Sequence, residues 1–208
     1  MIFSDRREAG RKLGEALGER PGALILGIPR GGVIVAREAA EVTGGELDVM
    51  VTRKLGAPMN SELGIGAVAP DGTTVLDENL VRQLQVSDAY LAKEVARQVG
   101  EIARRLELYR AGREPLVVAG RACVVVDDGI ATGGTAEVAL RSLAKQEAAK
   151  VTLAVPVAPR ETVARLADVC DEVVCLSTPE PFAAVGQWFD RFDQVSDDEV
   201  LEALSTLR

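Results

Sequence analysis

Residues 124–135, VVVDDGIATGGT, place two adjacent carboxylates directly before a loop of glycine and threonine residues. The apolar residues 124–126 predict the end of a buried strand, and residues 136–143 have the apolar spacing of a helix. Glycines let backbone N–H groups approach an anion, and the N-terminus of a helix adds partial positive charge. The stretch therefore predicts a phosphate site at the carboxyl end of a strand.

The carboxylates of Asp127 and Asp128 need a partner other than the phosphate, because like charges repel. Vicinal sugar hydroxyls, a Mg²⁺ ion, or both would suit them. Two commoner phosphate motifs are excluded, since Gly134 stands where a P-loop has lysine and the loop has no G-x-G-x-x-G pattern. A ligand with both a phosphate and a diol, such as a ribose 5-phosphate, fits the stretch.

The stretch resembles the motif with which type I phosphoribosyltransferases bind phosphoribosyl pyrophosphate (PRPP). The resemblance implies that Asp127 and Asp128 contact the ribose hydroxyls and hold Mg²⁺, directly or through water. It also implies that the following loop binds the 5-phosphate with Ala131, Thr132, Gly133, Gly134 and Thr135. The alternative is an ordinary strand-to-helix turn with exposed acids, although adjacent Asp residues there have no use in packing.

A second strand, glycine-rich turn and helix occur earlier, where residues 23–28 lead through Pro29, Arg30, Gly31 and Gly32 into a predicted helix over 33–42. A cationic side chain beside two glycines can direct a guanidinium group and bare N–H groups at one anion. In the resembled family this position is the pyrophosphate loop, which often has a strained or cis peptide. A simple turn is the alternative.

Arg53 and Lys54 follow a predicted strand over residues 47–52. The resemblance implies that a basic residue near this point meets the phosphates of PRPP. Because side chains alternate along a strand, we expect only one of the two to point inward. A solvated charge at the rim of the sheet is the alternative.

The chemistry that the resemblance implies is transfer of the 5-phosphoribosyl group from PRPP to a nitrogen acceptor such as a nucleobase, with release of pyrophosphate. Arg30, Asp127 and Asp128 are the expected catalytic residues, Mg²⁺ is the expected cofactor, and nucleotide salvage is the expected role. Enzymes for hypoxanthine and guanine usually carry Asp where this chain has Ala131, which disfavours a 6-oxopurine acceptor. A PRPP-sensing regulator and a non-catalytic phosphoribosyl-binding domain are the alternatives.

Composition excludes several other classes of protein. The chain of 208 residues has no histidine, which excludes Ser-His-Asp and Cys-His catalysis and His-ligated zinc. Its net charge of −8 disfavours nucleic acid and anionic membranes as partners. The three cysteines form no C-x-x-C motif, and no apolar segment reaches the length of a membrane span. We expect reduced thiols, a cytoplasmic location and small-molecule partners. A homodimer is a further possibility that the sequence does not decide.

Alternating strand and helix patterns predict an α/β fold, with a parallel sheet flanked by helices. The chain is interpreted as a single phosphoribosyltransferase-like domain over 1–208, with a core of about 20–176. A small hood, formed by about 177–208 and the N-terminal helix, is expected over the sheet, and its aromatic residues pack as core or stack on a base. A hairpin over 62–76 is a candidate lid, with core packing as the alternative. The other predicted elements are a helix after an N-cap at Ser4, a helix from Ser87 to about 111, a hairpin or bend over 116–126, strands at 150–157 and 172–176, a helix at 159–167, and a final helix after a capping box at Ser196 and Glu199.

Overall fold

A computed structural model describes residues 1–115 and 117–205. The described strands are β1 (Leu24–Gly27), β2 (Glu46–Val49), β3 (Arg53–Ala57), β4 (Asn60–Val68), β5 (Thr74–Leu76), β6 (Ala122–Val126), β7 (Lys150–Val157) and β8 (Glu172–Ser177). The described α-helices are α1 (Arg6–Leu17), α2 (Gly31–Thr43), α3 (Glu78–Gln83), α4 (Asp88–Arg110), α5 (Gly134–Lys145), α6 (Arg160–Ala167) and α7 (Asp197–Ser205), and a short 3-10 helix spans Val185–Trp188.

The main sheet is parallel and has the strand order β2-β1-β6-β7-β8. Its central strands are continuous apolar segments because helices cover both faces and bury them. In the register of β1 and β6, Gly27 lies beside Val126. The two strands therefore end level, and the loops that follow them emerge side by side at the carboxyl edge of the sheet. The predicted α/β class, with a parallel sheet flanked by helices, is confirmed.

A second, antiparallel sheet has the order β3-β4-β5. Ala67 and Ala69 are buried against Val138 of α5, and Ile65 and Val68 are buried in the cluster that includes α4. The predicted hairpin is thus present, and core packing accounts for residues 65–69. The turn that precedes this hairpin, between β3 and β4, is free of that packing, with Met59 97% exposed.

The N-terminal segment lies against residues 188–190. Phe3 N donates to the carbonyl oxygen of Trp188 at 2.8 Å, and Asp190 N donates to that of Phe3 at 2.8 Å. Phe182, Trp188, Phe189 and Phe192 pack among themselves and with Phe3, as the packing interpretation of this cluster predicts. The ring-centroid distances are 5.4 Å for Phe3–Phe189, 6.3 Å for Phe182–Trp188 and 4.9 Å for Phe189–Phe192.

Several predicted boundaries were wrong. Asp5, not Ser4, caps α1, because its Oδ1 accepts from Glu8 N at 3.0 Å while Ser4 bonds the Glu8 carboxylate. The predicted strand over 47–52 ends at Val49, and Arg53 and Lys54 begin β3 of the other sheet. Gly31 and Gly32 form the first turn of α2 and are not a separate loop.

Other elements were missed or fall outside the described part. The short helix α3 and the strand character of residues 55–57 were not predicted. Residues 117–119 form no strand, and Leu116, with which that predicted segment begins, lies outside the described residues.

Ser87 caps α4 by accepting from Tyr90 N at 3.2 Å, and Ser196 and Glu199 form the predicted capping box at α7. Burial raises the pKa of the Cys123 thiol to about 11, and all three cysteines are free thiols.

Candidate functional site

Two loops meet at the carboxyl edge of the main sheet, one after β1 and one after β6. A Cβ built on Gly31 would lie 1.9 Å from Asp128 Oδ2, and one on Gly32 would lie 2.8 Å from the Val126 carbonyl oxygen and 2.9 Å from Asp127 Cα. Glycine at both positions is therefore what lets the start of α2 approach the acidic pair. The peptide bond between Pro29 and Arg30 is cis, as the resemblance implies for this loop.

Asp127 and Asp128 are both partly exposed, and the side chain of Asp128 is 16% exposed. Burial and the neighbouring Asp128 carboxylate raise the pKa of Asp127 well above its usual range, although its Oδ1 accepts from Asp128 N at 2.9 Å. The pair thus concentrates negative charge in a partly desolvated place. A group that brings positive charge, or that donates hydrogen bonds from two hydroxyls, would be stabilised there.

Arg6 supplies one positive charge to this pair. Its Nε donates to Asp128 Oδ2 at 2.7 Å, and its Nη1 donates to the carbonyl oxygen of Asp193 at 2.8 Å. The guanidinium carbon lies 3.8 Å from the centroid of the Phe192 ring. The sequence analysis missed Arg6, since nothing in the first turn of α1 marks a partner 122 positions away.

The loop from Gly129 to Gly133 needs glycine at both of its ends. Gly129 has a φ of 152°, and a Cβ there would lie 2.4 Å from Val185 Cγ1 of the 3-10 helix. Gly133 has a φ of 78° and precedes α5, whose first turn contains Gly134 and Thr135. The first N–H groups of a helix have no intrahelical acceptor, so this loop and helix present donors to the edge of the sheet.

Two side chains of α6 touch the same loop and were also missed. Thr162 Oγ1 donates to the Ala131 carbonyl oxygen at 2.8 Å, and Arg165 Nη2 donates to the Thr132 carbonyl oxygen at 2.5 Å. Arg165 also forms an ion pair with Glu137 of α5. The sequence pattern of α6 shows an amphipathic helix but does not show which loop lies against it.

Lys54 and Arg53 point to different places, as strand alternation predicts. Lys54 lines a cavity between the antiparallel sheet and α5 together with Thr132, Gly134 and Thr135. Arg53 Nε donates to Gln98 Oε1 of α4 at 3.2 Å, away from that cavity. Of the two bases, Lys54 is therefore the one that the structure brings to the loop after β6.

Arg30 is exposed and precedes the first turn of α2. It lies one residue before Gly31, which contacts Asp128. Its side chain therefore stands at the edge of the same cluster of loops, open to solvent and able to meet an anion.

The acidic pair fits a hard divalent cation in the chemistry of its donors. Mg²⁺ prefers oxygen ligands and commonly takes one or two carboxylates from the protein and the rest from water and substrate phosphates. No cluster of three or more Cys, Asp or Glu side chains suited to a metal occurs in residues 1–115 and 117–205, so a cation at Asp127 and Asp128 would complete its shell from those other sources.

Comparison with known proteins decides the family. The phosphoribosyl transferase domain family matches residues 8–187. The chain belongs to this family. The two glycine-rich loops and the acidic pair of this phosphoribosyltransferase domain lie within the matched residues.

Relatives of this phosphoribosyltransferase domain agree in sequence and in fold. A relative from Mycobacterium tuberculosis strain H37Rv, with the name "Putative phosphoribosyl transferase Rv0571c", is 46% identical over 205 residues. The match takes in 98% of this chain but 46% of the relative, so the chain spans less than half the relative's length. The crystal structure of TT1426 from Thermus thermophilus has a TM-score of 0.82 and 45% identity, covering 98% of each chain.

A more distant structure shares the fold alone. The crystal structure of a hypothetical protein from Neisseria gonorrhoeae with bound ppGpp has a TM-score of 0.50 and 16% identity, covering 99% of this chain and 94% of that one.

Among the described residues, every helix is too short or too polar to cross a membrane.

Proposed function

We propose that this domain transfers the 5-phosphoribosyl group of PRPP to a nitrogen acceptor, with Mg²⁺ bound, and releases pyrophosphate. The observation that carries the proposal is the contact between the start of α2 and the acidic pair, where a Cβ at Gly31 would lie 1.9 Å from Asp128 Oδ2. A binder of the 5-phosphate alone would need only the loop after β6. A second glycine-rich loop against the same acids suits a ligand with a second anionic group.

Different residues of the site would bind different parts of PRPP. Asp127 and Asp128 would accept hydrogen bonds from the ribose hydroxyls and hold the cation. The N–H groups of residues 131–135 would bind the 5-phosphate. Arg30 and the N–H groups of Gly31 and Gly32 would bind the pyrophosphate end. Lys54, which lines a cavity with Thr132, Gly134 and Thr135, would contact a phosphate of PRPP. When bound, Mg²⁺ would neutralise negative charge on the departing pyrophosphate.

Catalysis of this reaction depends on positioning of the reactants and on stabilisation of charge more than on covalent bonds to the protein. The bond between the anomeric carbon and a pyrophosphate oxygen breaks, and pyrophosphate leaves with the electron pair. A bond forms from the acceptor nitrogen to the same carbon, and that nitrogen releases its proton to solvent. The cations and N–H groups at the pyrophosphate end stabilise the charge that develops on the leaving group.

A nucleobase other than a 6-oxopurine is the proposed acceptor, with a role in nucleotide salvage. Support comes from the loop sequence, which has Ala131 where the enzymes for hypoxanthine and guanine usually carry Asp. A panel of adenine, uracil, orotate, hypoxanthine and guanine, assayed for pyrophosphate release with PRPP and Mg²⁺, tests this proposal. Release with hypoxanthine or guanine alone would contradict it.

Calorimetric titration of PRPP with and without Mg²⁺ tests the binding site. We expect Mg²⁺-dependent binding to the wild-type chain and loss of binding when Asp127→Asn and Asp128→Asn are combined. Asp168→Asn, at an exposed position after α6, is the control and should bind like the wild type. Unchanged affinity in the folded double variant would overturn the assignment of the acidic pair to ribose.

Arg30→Ala tests the pyrophosphate loop separately. We expect the variant to lose more affinity for pyrophosphate than for ribose 5-phosphate, because the guanidinium group stands after β1 and not at the loop after β6. Equal losses for both ligands would contradict this placement.

A PRPP-binding regulatory or non-catalytic domain is the second candidate function. The observation that favours it is the lack of histidine, the commonest general base, in all 208 residues. Binding of PRPP without pyrophosphate release for any tested acceptor would support this candidate over the enzyme.

A further inference from the structure

The loop between β6 and α5 rests on one face of α6. Hydrogen bonds from Thr162 and Arg165 reach the carbonyl oxygens of Ala131 and Thr132. A Cβ built on Gly133 would lie 3.1 Å from side-chain atoms of Thr162, Arg165 and Leu166. Three consecutive loop residues are thus supported by side chains from one turn of one helix.

These contacts fix the direction of the loop's N–H groups. In a trans peptide unit the C=O of one residue and the N–H of the next point in opposite directions. Because the carbonyl oxygens of Ala131 and Thr132 point toward α6, the N–H groups of Thr132 and Gly133 point away from it. The N–H groups of the first turn of α5, which follow directly in the chain, have no intrahelical acceptor.

We propose that Thr162 and Arg165 are positioning residues that set the direction of the N–H groups receiving the 5-phosphate. The inference rests on the proposed function, since it assumes that a phosphate binds this loop. Neither residue belongs to the motif after β6, and both donate hydrogen bonds to backbone carbonyl groups of the loop. Donors that are already aligned before the ligand arrives bind more tightly, because less ordering remains to be done on binding.

Ion pairs hold Arg165 in place between the two helices. Glu137, in the first turn of α5, has a side chain that is 10% exposed and accepts from both Arg165 and Arg141. The distance from Arg141 Nη2 to Glu137 Oε1 is 2.9 Å. Arg165 thereby ties α6 both to the loop and to the helix that the loop enters.

Four variants separate positioning from general stability. Thr162→Val removes the hydroxyl donor without changing charge, and Thr162→Ser restores it. Arg165→Met removes the second donor. Arg160→Met is the matched control, because Arg160 lies on the same helix with a side chain that is 76% exposed and faces Glu180.

The first readout is the affinity of each variant for ribose 5-phosphate and for inorganic pyrophosphate, measured by calorimetry. We expect Thr162→Val and Arg165→Met to weaken ribose 5-phosphate by about tenfold, the usual effect of losing one preset hydrogen bond. Pyrophosphate affinity should stay at the wild-type value, and Thr162→Ser and Arg160→Met should bind both ligands like the wild type. Equal loss of both ligands, or no loss of ribose 5-phosphate, would overturn the inference.

The second readout needs no ligand. Residual dipolar couplings report the direction of the Thr132 and Gly133 N–H bonds in solution, and we expect them to change in Thr162→Val but not in Arg160→Met. If the wild-type chain binds neither ribose 5-phosphate nor PRPP, the proposed function fails while these couplings still test the positioning. Unchanged couplings in Thr162→Val would overturn the positioning alone.

Discussion

Arg6 Nε and Asp128 Oδ2 lie 2.7 Å apart, so the first residue of α1 neutralises one of the two carboxylates that follow β6. The Arg6 side chain is 12% exposed and that of Asp128 is 16% exposed, which makes this pair one of the better-shielded ion pairs of the described chain. Since Arg6 also lies over the Phe192 ring, the N-terminal helix, the acidic pair and the tail form one connected unit.

Arg6→Ala should therefore destabilise the fold. Losing the partner of a mostly buried carboxylate and its charged hydrogen bond should lower the free energy of unfolding by about 2 kcal/mol, as measured by urea denaturation. Arg11→Ala is the control on the same helix. Arg11 is 52% exposed, and its partner Glu38 also has Arg7 and Arg37 nearby, so we expect a loss below about 1 kcal/mol. A loss for Arg6→Ala no greater than that for Arg11→Ala would contradict the prediction.

Lys54→Gln should weaken PRPP binding, because Lys54 shares a cavity with Thr132, Gly134 and Thr135. Removal of one cation from a phosphate site should lower the affinity by about tenfold at low salt. Arg53→Gln removes an equal charge from the adjacent residue, whose side chain bonds Gln98 instead, and should bind PRPP nearly as well as the wild type. Titration calorimetry of both variants checks the difference, and the reverse order would contradict the placement of Lys54 at the phosphate site.

Gly31→Ala should disrupt the site more than most glycine substitutions. The new Cβ would lie 1.9 Å from Asp128 Oδ2 and 2.7 Å from Arg6 Nε, so both side chains must move. We expect a loss of about 1–3 kcal/mol in the free energy of unfolding, together with loss of PRPP binding. In Gly100→Ala, on α4, the added methyl group meets no heavy atom within 4 Å and should instead stabilise the protein by about 0.5–1 kcal/mol. Thermal denaturation distinguishes the two, and a neutral Gly31→Ala would contradict the close approach.

Glu172 should contribute stability that depends on pH. Its Oε1 accepts from Arg20 at 3.0 Å and its Oε2 accepts from Lys150 at 2.7 Å, and these bonds lower the pKa of Glu172 to about 2 from 4.5. A carboxyl with a lowered pKa in the folded state stabilises the protein above its unfolded pKa, and the contribution disappears as pH falls. Glu172→Gln should cost about 1 kcal/mol at pH 7, and its difference from the wild type should shrink between pH 4.5 and about 2. Denaturation at several pH values measures this, with the exposed Glu161→Gln as the control; a difference that stays constant with pH would refute the linkage.

The parallel sheet could be predicted from sequence because its inner strands are rich in apolar residues. Residues 122–126 are a continuous apolar segment and residues 150–157 are mostly apolar, as expected of parallel strands that are covered on both faces. The acidic pair and the loop after it were also predictable, since their residue types are adjacent in the chain. The boundary errors at Val49 and Arg53 arose because a strand of one sheet is followed closely by a strand of another, so the apolar pattern shows no break.

The parts of the site that were not predicted depend on contacts between distant residues. Arg6 meets Asp128 across 122 positions, and Thr162 meets Ala131 across 31. Each lies in an ordinary amphipathic helix, where an arginine or a threonine gives no indication of its partner. Only the packing of α1 and α6 against the sheet determines which loops these side chains reach.

The pairing of Phe3 with residues 188–190 has a consequence for synthesis on the ribosome. The segment before α1 is synthesised well before its backbone partners, Trp188 and Asp190. Arg6 likewise must wait for Asp128 and then for the carbonyl group of Asp193. The segment before α1 therefore reaches its final place only after residues 188–193 have been made, and a product that stops before them would leave Arg6 without the carbonyl group of Asp193.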